Sequence, residues 1–326
     1  MLVAYREFPP NRRFGVELEV SPCVDKDWLG GFVREYESQH GREHDVKVTS
    51  GKKGWAESRK NPYWHVKYDS TCGPLGKGFD HGWEVASYIG IGIKDAQHIS
   101  GLGDWLNYRN VCTNNNCGLH IHVEAKDISQ NVMGIILARW IKVEKVLTYI
   151  CPQHRWNNQY CQSLFWRSRR CFMEYDPDYP YEFWRAIRPY NLETHCNDEK
   201  KYTLNTVGYT IGTVMDDYDR QTIELRLPEC LLSTEHILNW LRLVVNFVER
   251  ASVATAPLDI DHSSTLSEFL DLIGLGSYEY PGKFLIFDDQ LLDTKIWILN
   301  KIKNSEGLSE IFRSEAGKCL DFISKI

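Results

Sequence analysis

The 326 residues carry 38 lysines and arginines against 44 aspartates and glutamates, a formal charge of −6. That balance excludes the basic excess of a general nucleic-acid binder, and 25% charged with 43% apolar residues excludes disorder over most of the length. The length suits two average domains or one large mixed enzyme domain, and eleven tryptophans demand a large core or an aromatic-lined pocket.

In chain order, FGVELEV at 14–20 alternates as a strand and 26–39 reads as a helix weakened by Gly30 and Gly31. Residues 41–62 are polar and read as loop. Strands follow at 64–69 and 83–89, separated by a glycine- and proline-marked turn at 70–78. A helix is expected near 95–109, a strand at 119–125 and a strong helix at 130–150. Residues 153–190 hold six arginines, no lysine and eleven aromatics, without clear periodicity. TIELRLPE at 222–229 alternates until Pro228 stops it. Helices at 235–251, 264–273, 291–303 and 307–325 close the chain. Strands first and helices last suggest an α+β fold, with an antiparallel or mixed sheet and helices on one face. The expected form is a strongly curved, mostly antiparallel sheet. Its concave face would be polar, and the helices at 130–150 and 235–251 would bury Leu18, Ile121 and Leu225 against the other.

No signal-length apolar run opens the sequence, no segment reaches a membrane span, and the ten cysteines form no CxxC pair. The expectation is a cytoplasmic protein with reduced, mostly buried thiols. The cysteines and histidines between 112 and 171 match no standard zinc spacing.

Three strands share one pattern. Glu17 and Glu19, His120 and His122, and Glu224 and Arg226 are each separated by one apolar residue. Period two puts each pair on one face, with β-carbons about 6.6 Å apart. Glu84 extends the same polar floor. Such a floor can be no more than a solvated sheet face; as a site, clustered carboxylates with imidazole suit Mg²⁺ or Mn²⁺.

FGVELE, HVKYDSTCG, GWEVAS, CGLHIHVE, YTLNT and TIELR, in that order from about residue 12 to 250, resemble the amidoligase family, part of the glutamine synthetase and glutamate–cysteine ligase superfamily of carboxylate–amine ligases. The resemblance implies a glutamine synthetase-like catalytic region over 1–255, with 153–200 as a possible substrate-covering insertion and 256–326 as a helical extension. It implies ATP and Mg²⁺ (or Mn²⁺), with Glu17, Glu19, Glu84 and His120 as metal ligands. His122 would face the nucleotide phosphates, Glu224 would bind the metal between them, and Arg226 would steady the γ-phosphoryl group. Asn205 would lie near the nucleotide, and Arg188 is the arginine preferred as a substrate or phosphate ligand. The chain departs from the family at Asp69-Ser70-Thr71, where Asp-Gly-Ser is usual, and at Glu84-Val85-Ala86-Ser87-Tyr88, where Glu-Leu-Val-Ser-Pro is common. The expected partners are a small-molecule or peptide acid and an amine, with no membrane and no nucleic acid. A metal-dependent hydrolase on the same floor, and a non-catalytic binding protein, are the alternatives.

Overall fold

In the computed structural model the described residues are 8–49, 63–73, 81–156, 158–165, 175–187, 201–209, 221–263, 265–276, 279–280, 283–284 and 289–325. Eight strands form one mixed sheet: β1 (Arg13–Val20), β2 (Val46–Val48), β3 (Trp64–Asp69), β4 (Gly82–Ala86), β5 (Gly90–Ile91), β6 (Leu119–Glu124), β7 (Leu204–Asn205) and β8 (Thr222–Leu225). Their order is β2-β3-β4-β1-β6-β8-β7, with β5 pairing β1 off this path. Every pairing is antiparallel except that of β2 with β3. Two further short strands, β9 (Glu279–Tyr280) and β10 (Lys283–Phe284), make a separate hairpin.

The helices are α1 (Lys26–Gln39), α2 (Gly92–Tyr108), α3 (Gln130–Tyr149), α4 (Pro180–Ile187), α5 (Thr234–Ser252), α6 (Leu266–Leu272), α7 (Asp289–Lys303) and α8 (Glu310–Ile323), with a single turn at Gln153–Trp156. Their starts follow from capping side chains that satisfy free helix N–H groups. Asp25 accepts the N–H of Asp27, Ser129 that of Val132, Thr265 that of Glu268 and Ser309 that of Phe312.

Alternation along the strands divides the sheet into an apolar and a polar face. Leu18, Ile121 and Leu225 are 1%, 0% and 0% exposed. Helix α5 packs on β6, with α2 and α3 packed on α5, while α1 packs on β2 and β3. There the Trp64 indole donates to Glu37 at 2.5 Å.

Three stretches differ from expectation for local reasons. The strand expected over 83–89 ends at Ala86, because Ser87 replaces the ladder with its side chain. The Val16 N–H donates to Ser87 Oγ at 2.9 Å, while the Ser87 N–H donates to the Val16 carbonyl at 2.7 Å. The strand expected over 222–229 ends at Leu225, and an isolated bridge joins Gly118 to Glu229 beyond Pro228. The loop expected over 41–62 contains the edge strand β2, whose three residues are too few to show a period.

Candidate active site

The antiparallel register sets the site. Glu17 stands opposite His120, Glu19 opposite Glu84, and His122 opposite Glu224. Lys67 stands opposite Glu84 and Asn205 opposite Glu224. Directly opposed residues share a face, so the polar face collects side chains from β3, β4, β1, β6, β8 and β7. Glu19, Glu84, His120, Asn205 and Glu224 are buried; Glu17, His122 and Arg226 are half-buried.

Two groups of ligand-bearing atoms form on this floor. Glu17, His122 and Glu224 each bring one within 4.8 Å of the others, and so do Glu19, Asp69 and Cys72. The His120 ring joins the groups. Its Nδ1 lies 3.4 Å from Glu17 and 3.7 Å from Glu224, and its Nε2 lies 3.4 Å from Glu19. Glu84 sits to one side, with its Oε1 2.6 Å from Lys67 Nζ, which also lies 3.4 Å from Glu17. The sequence reading named Glu84 and passed over Lys67.

Arg226 lies just beyond the end of β8. Its guanidinium donates to Glu224 Oε1 at 2.5 Å, and Asn205 Nδ2 donates to the other oxygen at 2.6 Å. Both Glu224 oxygens are thereby fixed in orientation. Arg155, from the expected arginine-rich segment, is buried and holds the backbone behind Arg226. It donates to the Leu227 carbonyl at 3.0 Å and the Arg226 carbonyl at 2.6 Å. Arg185 pairs with Glu182 on the surface at 3.3 Å. Arg188, Arg167, Arg169 and Arg170 lie outside the described residues.

The charges are unequal. Burial would raise the Glu17 carboxyl, but Lys67 and His122 outweigh it and hold Glu17 well below the usual range. Burial raises Glu84 well above that range, and the Glu17 charge adds to the effect against Lys67. Burial also raises Glu19, against the attraction of His120. Glu224 is lowered in spite of burial, by Arg226 and then His122. Burial works against the Arg226 charge, but Glu224 and Glu19 outweigh it and keep the guanidinium protonated.

Gly118 permits the inner part of this arrangement. A β-carbon there would stand 2.9 Å from His120 Nε2 and 3.3 Å from both Glu19 Oε2 and Arg155 Nη2. Its N–H donates to Glu19 Oε2 at 2.5 Å. At the other end of the floor a cavity of about 190 Å³ opens beside Glu17 and His122. Its lining includes Gly15, Tyr63, His65, Lys67 and Ile89.

The family whose profile matches residues 10–248 is described as "Putative amidoligase enzyme". The chain belongs to this family. The amidoligase description is that of an amide-forming ligase, and the matched span contains every residue of the polar floor. Among curated proteins, none matches the sequence. Among solved structures, the chain is similar to a bifunctional glutathione synthetase from Pasteurella multocida, at TM-score 0.36 and 11% identity. That alignment covers 99% of this chain and 50% of the synthetase, so the chain spans about half that enzyme's length. Among the described residues, no helix is long and apolar enough to cross a membrane.

The oxygen and imidazole donors of Glu17, His122 and Glu224 fit a hard divalent cation such as Mg²⁺ or Mn²⁺. Asp69, Cys72, Lys67, Gly118 and Arg155 were not singled out from the sequence. Asp69 alone had a readable signal, since it follows His65 and Lys67 at period two on β3.

Proposed function

We propose that this protein is an ATP- and Mg²⁺-dependent carboxylate–amine ligase that forms an amide or peptide bond through an acyl phosphate. The catalytic region spans 1–255, built on a curved, glutamine synthetase-like sheet, with 256–326 as an extension packed on it. The observation that carries the reading is the bond from Arg226 to Glu224, beside Glu17 and His122 on one face of the sheet.

A carboxylate does not react with an amine unaided. Its oxygen must first attack the γ-phosphorus of ATP, releasing ADP. The amine nitrogen then attacks the acyl carbon, phosphate leaves, and the amine gives up a proton. Phosphoryl transfer asks the protein mainly for position and charge. Glu17, His122 and Glu224 would hold the nucleotide-associated cation, which supplies neutralisation of phosphate charge. Arg226, aimed by Glu224 and braced through its backbone by Arg155, would contact the transferring phosphoryl group. Glu19, Glu84 and His120 would hold metal deeper in the floor, Asn205 would fix Glu224 beside the nucleotide, and Arg188 would bind the acid or a phosphate. The acid and the amine are small molecules or peptides.

The test is release of ADP and phosphate by the purified protein with Mg²⁺ and panels of amino acids and peptides. Release that needs ATP, an acid and an amine together, with an amide product by mass spectrometry, supports the ligase. Amide hydrolysis without ATP would replace it with a metal-dependent hydrolase.

A further inference from the structure

A second cavity, of about 930 Å³, opens among the helices: the end of α3, the Gln153–Trp156 turn, α5, α7 and residues 304–306 line it. It shares no lining residue with the cavity beside Glu17 and His122, and the ligase chemistry has no use for it. Its volume lies in the range that holds small organic ligands. The aromatic parts of its wall are fixed by their neighbours. The Trp156 indole donates to the Cys151 carbonyl at 2.7 Å and meets Tyr149 edge-on, with ring centroids 4.9 Å apart. The Ser305 hydroxyl donates to the Tyr149 carbonyl at 2.7 Å, and Trp297 packs edge-on against Trp240 at 5.5 Å.

Glu229 carries the chemistry. It follows Pro228 beyond the end of β8, where its backbone bridges Gly118 and its carbonyl accepts from His236 at 3.0 Å. The side chain lines the cavity, the residue is only 7% exposed, and Oε2 is buried without a hydrogen-bond partner among the described residues. A buried carboxylate oxygen without a donor is costly. Burial raises the Glu229 carboxyl, and Lys301 offsets this only in part. The Lys301 ammonium sits over the Trp297 ring, 5.2 Å from its centroid, and leaves Oε2 bare. Glu235, Asp293 and Glu306 line the same cavity, against the two cations Arg242 and Lys301. An anion would therefore meet four carboxyl groups, and an uncharged apolar ligand would leave Oε2 unpaired.

We propose that this cavity is a second small-molecule site, for a primary amine with a flat apolar body, bound with its ammonium on Glu229 Oε2 and its body among Tyr149, Trp156 and Trp297. An ammonium brings three N–H donors and the missing counter-charge, and it favours the ionised carboxylate. The indole faces attract the same positive charge, and the ring edges pack against a flat ligand. The inference goes beyond the ligase reading and uses none of the residues of the polar floor.

The experiment uses the full chain without nucleotide and three indoles that differ at the end of a two-carbon arm. Tryptamine is cationic there, 3-ethylindole neutral and indole-3-propionate anionic. Binding is read from the probe's own NMR signals by saturation transfer, titrated to a Kd. Tryptamine is expected to bind saturably, roughly tenfold or more tightly than either of the others. Glu229→Gln keeps the shape, loses the charge and should weaken tryptamine by a similar factor while leaving 3-ethylindole as it was. Asn300→Trp, at an exposed lining position, fills the cavity without touching Glu229 and should block tryptamine; it carries the test if thermal melting shows that Glu229→Gln does not fold. Glu224→Gln, on the polar floor, should bind tryptamine as the wild type does. A folded wild type with no saturable tryptamine binding overturns the proposal. So do equal affinities for the three indoles, or binding that survives Asn300→Trp and is lost in Glu224→Gln. A missing amide-forming activity beside intact tryptamine binding sinks the ligase reading and leaves this site standing.

Discussion

Arg226 carries the sharpest residue-level consequence. Its guanidinium is the cation nearest Glu224, and truncation removes a charge aimed at the proposed phosphoryl group. Arg226→Ala is expected to lower ATP-dependent amide formation by on the order of a thousandfold. Arg226→Lys restores only part, because an ammonium lacks the planar fork. Near-normal turnover in folded Arg226→Ala protein would remove this strand from the active site. Glu224 is only 8% exposed and both its oxygens are bonded, so its loss also reaches stability. Glu224→Ala strands the Asn205 amide and the Arg226 charge, so about 2 kcal/mol of stability goes with it. Glu224→Gln separates the effects, keeping the packing while removing the charge. Gly118→Ala is the second residue test. The added methyl must displace His120, Glu19 or Arg155, and a shift approaching 1 Å at a reacting centre costs about a hundredfold in rate. Unchanged turnover in that variant would mean that Glu19 and His120 lie away from the chemistry.

At the scale of elements, Glu144 on α3 ties the segment after the Gln153–Trp156 turn to the sheet. This residue is 1% exposed. It accepts the Ser163 hydroxyl at 2.6 Å and the Leu164 and Phe165 N–H groups at 2.7 and 2.9 Å, and it also bonds the Thr203 hydroxyl. Removing it orphans several buried donors, so Glu144→Ala is expected to cost on the order of 3 kcal/mol in urea unfolding. A change within 0.5 kcal/mol would show that these donors find other partners. Glu144 also marks what the sequence leaves hidden: a glutamate in an apolar helix looks no different from a surface one until its donors, far along the chain, are in place. The strands of the floor were legible because period two survives along Glu17-Leu18-Glu19, His120-Ile121-His122 and Ile223-Glu224-Leu225. Lys67 and Cys72 were not, because their meaning comes from neighbours that only the pairing of β3, β4 and β1 supplies. Ser87 ended a strand early by a side-chain bond that no periodicity encodes.

Over the whole molecule, acid should weaken the packing of the C-terminal helices. His236 on α5 is 4% exposed, stands edge-on to Trp297 of α7, and bonds through Nε2 to the Glu229 carbonyl at 3.0 Å. Burial, with Lys301 adding to it, pushes its imidazole from 6.5 down to about 4. The unfolded chain therefore takes up this proton near pH 6.5 while the folded chain resists until about 4. The stability is present in full above pH 6.5 and is lost as pH falls towards 4, by about 3 kcal/mol for this one group at 1.36 kcal/mol per unit. Buried His98, held down to about 4 by its own burial, acts in the same direction. Glu229 opposes both, since burial raises its carboxyl and protonation relieves it as the pH falls. Comparison with His236→Gln isolates the histidine, because the glutamine amide can still donate to the Glu229 carbonyl and does not titrate. Urea midpoints from pH 7 to pH 4 should fall more steeply in the wild type than in His236→Gln. Parallel slopes would mean that the ring takes up its proton without loosening α5 from α7.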